Sequence, residues 1–214
     1  MSSHRPRILI ADDHTLVAEL CRKLLETEFD VVGIVVNGRA VVREVGKLKP
    51  DLVLLDVAMP VLNGLDAGQQ VKATWPAIKL VYLTVNADPE VAAEAFRRGG
   101  SAYLLKTCAS TELVVAIREV LRGNTYISRK LPKDTINFLR RDREKLDRTE
   151  RLTERQREVL QLLAEGKVMK EVGDILNMTT RTVAFHKYRM MEALDIKSSA
   201  ELVRYAVRSH IIAA

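Results

Sequence analysis

Short apolar runs alternate with longer stretches of helical periodicity between Arg7 and about Arg122. The runs predict five strands, at 8–11, 31–36, 51–57, 79–85 and 102–106. The stretches between them predict five helices, at about 14–27, 38–48, 64–74, 88–98 and 110–122. Strands that alternate with helices pair in parallel and carry helices on both faces of the sheet. This part of the chain is therefore predicted to be an α/β domain.

The pattern becomes purely helical from about Leu152. It predicts four short helices, at about 154–165, 168–176, 180–194 and 199–209. The preceding segment is mostly charged, and we expect a linker with helical stretches and no core of its own. The predicted organisation is an α/β domain at 1–124, a linker at 125–150 and an all-α four-helix domain at 151–214.

Composition narrows the class of protein. The 214 residues are 47% hydrophobic and 29% charged, as in a soluble globular protein. No apolar run approaches the roughly 20 residues of a membrane helix, and MSSHRPR leads into a strand without a signal-peptide core. We expect a cytoplasmic protein with no membrane partner. Cys21 and Cys108 lack metal-ligand spacing, so we interpret both as small buried hydrophobes.

The formal charge of +6 is unevenly distributed. Residues 1–128 hold 15 basic and 15 acidic side chains, 129–150 hold 8 and 5, and 151–214 hold 11 and 8. The excess therefore lies in the linker and the helical domain. This asymmetry favours a polyanionic partner for the C-terminal half, although basic residues that are merely solvated would give the same count.

Polar side chains collect where the predicted strands end. Asp12 and Asp13 follow the first strand, Asp56 ends the third, Thr84 the fourth and Lys106 the fifth. Parallel strands end at one edge of a sheet, which is where such folds bind ligands. Three carboxylates there need a cation, and oxygen ligands with room for water suit Mg²⁺.

The N-terminal pattern resembles the receiver domain of two-component response regulators, a flavodoxin-like (βα)5 fold. The resemblance rests on four motifs: ILIADDH at 8–14, LVLLDVAMPVLNGL at 52–65, VYLTV at 81–85 and GGSAYLLK at 99–106. It implies that a sensor histidine kinase transfers a phosphoryl group to the carboxylate of Asp56.

The resemblance also assigns roles to the neighbouring residues. Asp13, Asp56 and the Ala58 carbonyl would ligate Mg²⁺ directly, and Asp12 would act through a water. Lys106 and Thr84 would contact the phosphoryl oxygens. The family's switch aromatic falls on Tyr103, for which a plain core aromatic is an equal alternative.

Two positions depart from the family pattern. Thr107 follows the lysine where proline is common, so the isomer of the Lys106–Thr107 peptide bond stays open. Val85 follows the threonine where a small residue is usual. A branched side chain there would slow access to the acceptor without preventing phosphotransfer.

The predicted helix at 180–194 has two distinct faces. Thr179 can cap it, and Val183, Met190 and Leu194 form a core stripe. The opposite face carries exposed basic and aromatic side chains, with one small residue at its margin: Arg181, Phe185, Tyr188, Arg189 and Ala184. Such a face is typical of a contact surface, for which a nucleic acid is the first interpretation and a partner helix or another domain the alternative.

Residues 152–206 resemble the helix-turn-helix domain of LuxR-type regulators, as found in response regulators of the NarL/FixJ type. The matching motifs are LTERQREVLQLLAEG at 152–166, KEVGDIL at 170–176, TTRTVAFH at 179–186 and SSAELVRYA at 198–206. The resemblance implies that Lys170, Thr180 and Thr182 contact DNA phosphates. Base edges would be read from Arg181, Ala184, Phe185 and Tyr188, with Arg189 beside them. Gly173 stands where alanine is usual, at an expected cost to its helix of about 1 kcal/mol.

The last predicted helix pairs two DNA-binding domains in relatives. Here Leu202, Val203 and Ala206 form its apolar strip, although packing within the domain is the alternative. We expect a homodimer in the active state, bound to an inverted repeat, with RNA polymerase as a further partner.

Together the motifs predict a DNA-binding response regulator that is not an enzyme beyond its own phosphotransfer and dephosphorylation. A phosphatase with Asp56 as nucleophile is the first alternative, but such enzymes usually carry a second aspartate where this chain has Ala58. A second alternative is a regulator that works without phosphorylation. The full set of carboxylates with Thr84 and Lys106 argues against it, and Val85 leaves it open.

Overall fold

The structure, a computed structural model, describes residues 5–108, 110–132 and 152–212. The chain divides into two compact units, an N-terminal α/β unit and a C-terminal helical unit. The helical stretches predicted in the linker lie outside the described residues. No helix within the described ranges is long and apolar enough to span a membrane.

Within the described residues, the α/β unit contains six strands and five helices. The strands are β1 (Arg7–Ala11), β2 (Asp30–Val35), β3 (Leu52–Leu55), β4 (Lys79–Thr84), β5 (Ala102–Leu105) and β6 (Tyr126–Ile127). The helices are α1 (Thr15–Leu25), α2 (Gly38–Leu48), α3 (Gly64–Thr74), α4 (Pro89–Arg97) and α5 (Ser110–Leu121). The predicted alternation of five strands and five helices is confirmed.

All six strands pair in parallel, in the order β2-β1-β3-β4-β5-β6. The order reverses at β1, which pairs with β2 on one side and β3 on the other. A ligand site is expected beyond the carboxyl ends of the strands at such a switch point. The residues that follow β1 and β3 therefore lie where the fold favours binding.

Strand β6 lies at the start of the segment predicted as a linker at 125–150, and it belongs to the sheet of the α/β unit. Tyr126 and Ile127 pair with β5, and the Leu131 side chain, 7% exposed, packs into the core of the α/β unit. A strand of two residues has no measurable period, and a charged neighbourhood hides it. The sequence pattern therefore could not reveal this edge strand.

Two apolar layers cover the two faces of the sheet. Alternate strand residues such as Leu9 and Val53 face α2, α3 and α4, whereas Ile8 and Leu54 face α1 and α5. Cys21 lies in the second layer, where burial raises the pKa of its thiol to about 11. Cys108 is only half-buried, so the prediction of a fully buried thiol is confirmed for Cys21 alone.

The helical unit consists of α6 (Glu154–Ala164), α7 (Met169–Leu176), α8 (Thr180–Ala193) and α9 (Ser199–Arg208), as predicted. Its core includes Val159, Val172, Val183 and Met190, one or more from each of the first three helices. Thr179 caps α8 by accepting a hydrogen bond from the Thr182 amide, as expected.

Gly173, in α7, has a structural reason that helix propensity misses. A Cβ atom at this position would lie 2.6 Å from the Met178 carbonyl oxygen, in the turn that leads to α8. The Met178 amide also donates a hydrogen bond to the Gly173 carbonyl, at 2.8 Å. The close approach of two backbone segments therefore requires glycine here, and the predicted cost to the helix is offset by the turn.

Candidate functional site

The carboxylates of Asp12 and Asp56 meet at the switch point of the sheet. Ala11, the last residue of β1, pairs with Leu55, the last residue of β3, so the two aspartates that follow leave adjacent strands side by side. The Asp56 amide donates to the Ala11 carbonyl at 2.8 Å, which fixes their spacing. Each aspartate is only 3% exposed. Buried carboxylates of this kind require a partner.

Lys106 supplies that partner. It follows β5, and its Nζ lies 2.8 Å from a carboxylate oxygen of Asp12 and 2.8 Å from one of Asp56. The Lys106 amide donates to the Thr84 carbonyl at 2.7 Å, so β4 holds the lysine at this edge. No peptide bond among the described residues is cis, and Lys106–Thr107 is therefore trans.

Burial and charge act in opposite directions on these groups. Burial raises the pKa of Asp56 and Asp12 raises it further, whereas Lys106 lowers it, and the net direction is upward. Burial lowers the pKa of Lys106, but the hydrogen bonds that its Nζ donates to Asp12 and Asp56 more than offset this, so the lysine stays cationic. One cation is thus shared by two carboxylates. Lys106 therefore offsets only part of the free energy that burial of the Asp56 charge costs, and the pKa of Asp56 stays raised.

Asp13 and His14 lie next to Asp12 and Asp56 and form a cluster of four possible metal ligands with them. The Nδ1 atom of His14 lies 3.2 Å from an Asp13 oxygen and 3.4 Å from an Asp12 oxygen. One ligand atom from each of Asp12, Asp13, His14 and Asp56 lies within 4.8 Å of the others. His14 was not among the predicted site residues, although its place directly after two candidate ligands was the signal that could have found it.

Gly64 is a second residue of the site that was not predicted. A Cβ atom there would lie 1.9 Å from the Asp56 carbonyl oxygen, and the Gly64 amide donates to the Val57 carbonyl at 2.8 Å. The start of α3 thus packs directly against the backbone that carries Asp56. Ala58 is exposed beside it, and its amide lies 3.4 Å from Asp56 Oδ1. The Asn-Gly pair within the second motif, at 52–65, was the available signal.

Thr84 and Tyr103 lie buried on neighbouring strands. The Tyr103 side chain is fully buried, its ring is tilted against Tyr82 at a centroid distance of 6.5 Å, and its hydroxyl donates to the Asn86 carbonyl at 2.9 Å. Burial raises the pKa of this phenol. Tyr103 is thus a core aromatic in this conformation, and its switching role stays a prediction. Val85, which directly follows strand β4, is 74% exposed.

In the helical unit, α8 presents an exposed face as predicted. Phe185 is 60% exposed and Tyr188 is 62% exposed, with the exposed Arg181 and Arg189 on the same face and Ala184 half-buried at the margin. Val183 and Met190, on the opposite face, are fully buried. Large aromatic side chains exposed together on a helix indicate a surface that meets a partner.

The residues assigned to phosphate contacts are also exposed. Lys170 lies in the first turn of α7, and Thr180 and Thr182 lie in the first turn of α8. The hydroxyls of Thr179 and Thr182 are 2.8 Å apart, next to the α8 amide that Thr179 caps. The N-terminus of a helix with exposed hydroxyls suits an anionic partner.

Two family models match the chain. That of the response regulator receiver domain matches residues 8–118, which is more than half of the chain. That of the bacterial regulatory proteins of the luxR family matches residues 150–206. The chain belongs to the response regulators. Its receiver is the α/β unit, and its luxR-family domain is the helical unit.

This response regulator is similar to known relatives over nearly its whole length. The oxygen regulatory protein NreC of Staphylococcus haemolyticus is 32% identical over 96% of this chain and 99% of NreC. A structure of the RcsB response regulator of Salmonella typhimurium is 26% identical, with a TM-score of 0.61 over 94% of this chain and 96% of that one. RcsB bound to the promoter rprA with phosphomimetic BeF3⁻ is also 26% identical, with a TM-score of 0.55 over 94% and 97%.

The comparisons confirm the predicted class and fold. The protein is a DNA-binding response regulator of the two-component type, with a flavodoxin-like receiver followed by a LuxR-type helix-turn-helix domain. Its family is regulatory rather than one of classical enzymes.

The structure of this regulator corrects two of the dimerisation residues. Leu202 is 2% exposed and Ala206 is fully buried, both in the core of their own domain. Of the three residues predicted, only Val203, 36% exposed, presents side-chain surface to a partner. An apolar strip on a short helix must first complete its own domain, which is the alternative that the sequence left open.

Proposed function

We propose that Asp56 accepts a phosphoryl group from the phosphohistidine of a sensor histidine kinase, and that this step promotes binding of a dimer to promoter DNA. The observation that carries the proposal is the pair of buried carboxylates, Asp12 and Asp56, that share Lys106. Aspartates that are exposed to water need no cation beside them. Buried ionisable groups that interact with a specific charged partner are typical of reactive sites, so this pair marks Asp56 as a candidate acceptor.

The residues at this edge fit a Mg²⁺ ion. Asp13 and Asp56 would bind it with their carboxylates, Ala58 with its carbonyl oxygen, and Asp12 through a water. The donors proposed for the ion are all oxygen atoms, so the nearby His14 nitrogen is not among them. Asp13, whose side chain is 33% exposed, leaves the site open to solvent, as a hydrated ion requires. When bound, the ion would neutralise charge on the carboxylates and on the transferring phosphoryl oxygens.

The chain's own residues would then perform the transfer. An Asp56 carboxylate oxygen attacks phosphorus, the bond from phosphorus to the kinase imidazole breaks, and the imidazole leaves with the electron pair. Lys106 Nζ, now shared between Asp12 and Asp56, would exchange an aspartate oxygen for a phosphoryl oxygen. Thr84 would donate its hydroxyl to another phosphoryl oxygen.

The test is phosphorylation of the full chain by acetyl phosphate with Mg²⁺. Wild type should gain a base-labile phosphate, Asp56→Ala should gain none, and Asp51→Asn should behave as wild type. Asp51 is a matched control because it is an exposed aspartate that precedes the same strand β3. Equal labelling of wild type and Asp56→Ala, or no labelling of wild type, would contradict the proposal.

For DNA, we propose that α8 enters the major groove. Lys170, Thr180 and Thr182 would contact phosphates, and Arg181, Ala184, Phe185, Tyr188 and Arg189 would face the bases. The exposed face of α8 and the likeness to promoter-bound RcsB support this placement. Selection from a random duplex library should yield a preferred site, expected to be an inverted repeat. Arg181→Ala should relax that preference, and Lys170→Ala should weaken binding to all duplexes and reduce its salt dependence.

The charge of the helical domain bears on the dimer. With 11 basic and 8 acidic residues at 151–214, one copy should bind DNA weakly, and two copies on adjacent half-sites more strongly. We therefore propose a homodimer as the DNA-bound form, acting in the cytoplasm on RNA polymerase. Unchanged binding of Lys170→Ala and Arg181→Ala together would contradict the docking.

A further inference from the structure

The backbone of Asn86 lies between the two residues assigned to the switch. Its amide donates to Thr84 Oγ1 at 3.2 Å, and its carbonyl accepts a hydrogen bond from the Tyr103 hydroxyl at 2.9 Å. Thr84 and Tyr103 are both fully buried, on neighbouring strands of the sheet. One residue thus contacts both switch side chains at once.

The side chain of Asn86 continues this contact to helix α4. Its Oδ1 accepts from the Asp88 amide at 2.8 Å, and Asp88 Oδ1 accepts in turn from the Glu90 amide at 2.8 Å. Asp88 is the N-cap of α4. Two side-chain acceptors in series therefore hold the first turn of the helix to the end of β4.

The other end of α4 is fixed by a different set of contacts. Arg98, directly after the helix, is 8% exposed and pairs with Asp66 of α3 and with Glu94. A buried, charge-paired guanidinium resists displacement, because separating the charges would leave them without partners in the interior. A change that reaches α4 should therefore move its N-terminal turn and leave its C-terminal end in place.

We propose that Asn86 is the positioning residue that transmits the state of Asp56 to the first turn of α4. The inference rests on the proposed phosphorylation of Asp56. When Thr84 Oγ1 turns towards a phosphoryl group, it either releases the Asn86 amide or draws that peptide with it. In both cases the peptide that holds Tyr103 shifts, and the cap on Asp88 loosens.

The experiment measures amide hydrogen exchange of the full chain with Mg²⁺, with and without BeF3⁻ as a phosphoryl mimic. In wild type, BeF3⁻ should raise exchange at Asp88 and Glu90 about fivefold, the factor expected for loss of one hydrogen bond. In Asn86→Ala, exchange there should be fast already and should not respond. Asn86→Ser, whose hydroxyl can accept at the same spacing, should restore most of the response.

Val85→Ala is the matched control, measured at saturating BeF3⁻ so that the predicted effect of this side chain on the rate of access to Asp56 does not enter. The substitution shortens an exposed side chain that lies in the same loop and has no hydrogen-bonding group. It should respond as wild type does. Uptake of BeF3⁻, read from its ¹⁹F resonance, should be the same in wild type, Asn86→Ala and Asn86→Ser and absent in Asp56→Ala, which shows that the variants fold and bind. A normal α4 response in Asn86→Ala with normal uptake would overturn this inference alone. Absence of uptake in wild type would overturn the proposed function and the inference with it.

Discussion

The two candidate sites of this regulator differ in where their charges lie. In the receiver, Asp12 and Asp56 are almost fully buried, and Lys106 binds both. In the helical domain, Arg181 and Arg189 are exposed on α8 together with Phe185. The first site is part of the core of its domain, whereas the second lies on the surface of a helix whose opposite face makes the core.

This difference implies different links between function and stability. Substitution of a buried, charge-paired residue changes the free energy of unfolding as well as the chemistry. Substitution of an exposed side chain that meets a partner changes binding and leaves unfolding nearly unchanged. Unfolding measurements can therefore test whether the two sites differ in this way. Amide hydrogen exchange in the full chain reports the free energy of unfolding of each domain separately.

Among residues of the two sites, the largest effect is expected for Lys106→Met without Mg²⁺. It leaves Asp12 and Asp56 buried without their shared cation, and we expect the receiver to lose about 3 kcal/mol of unfolding free energy at neutral pH. Lys23→Met, which removes an exposed cation from α1, should change it by less than about 0.5 kcal/mol. Urea unfolding with and without Mg²⁺ measures both. If the two variants behaved alike, the charges of the receiver site would contribute to stability as surface charges do.

The next largest change in the free energy of unfolding is expected in the helical domain, where the turn after α7 requires glycine at position 173. Gly173→Ala should destabilise the domain by about 1–2 kcal/mol, because its Cβ would lie 2.6 Å from the Met178 carbonyl oxygen. Helix propensity alone predicts the opposite sign. The exposed Asp174→Ala in the same helix is the control, and it should be neutral or stabilising. Stabilisation by Gly173→Ala would show that the turn after α7 relaxes at little cost.

A smaller effect, of opposite sign, is expected for Asp56→Asn. Burial raises the pKa of Asp56 above its ordinary value, so its charged form destabilises the folded receiver. That penalty develops as pH rises from the ordinary value to the raised one, and it is constant above. In this variant, Lys106 retains its ion pair with Asp12. Asp56→Asn should therefore raise the unfolding free energy at pH 7 by about 1 kcal/mol, and the gain should vanish near pH 4.

Thermal or urea unfolding at several pH values checks this expectation. A gain that persists unchanged at low pH would mean that packing, and not charge, is its source. Loss of stability at pH 7 would mean that the ion pair with Lys106 outweighs the burial of Asp56, against the direction of its pKa.

The receiver site could be predicted from sequence to the extent that strands position it. Asp56 and Lys106 stand directly after apolar runs, and parallel pairing brings such residues together whatever the details of packing. Gly64 and His14 were missed because their roles depend on distances across loops, to the Asp56 carbonyl oxygen and to Asp13. Asn86 was missed for the same reason, since its contacts are largely made by its backbone.

The helical domain shows the converse. Helical periodicity distinguished the buried Met190 from the exposed Phe185 correctly, because both faces belong to one long helix. Leu202 and Ala206 pack into the core of their own domain. Their pattern could not distinguish this from contact with a second copy, because a short apolar strip has the same sequence pattern in both cases. Strand β6 and the buried Leu131 were hidden among charged residues that carry no period.

The smallest effect on unfolding is expected at the exposed face of α8, the proposed DNA-binding surface. Phe185→Ala and Tyr188→Ala remove large side chains that are 60% and 62% exposed, so each should change the unfolding free energy by less than about 0.5 kcal/mol. Met190→Ala, in the same helix but fully buried, is the contrast and should cost about 2–5 kcal/mol. Affinity for a duplex selected from a random library should nevertheless fall in both exposed variants, because an apolar contact to bases is lost. If Phe185→Ala destabilised the domain by as much as Met190→Ala, its ring would belong to the core, and the division between a buried receiver site and an exposed DNA-binding surface would fail at that residue.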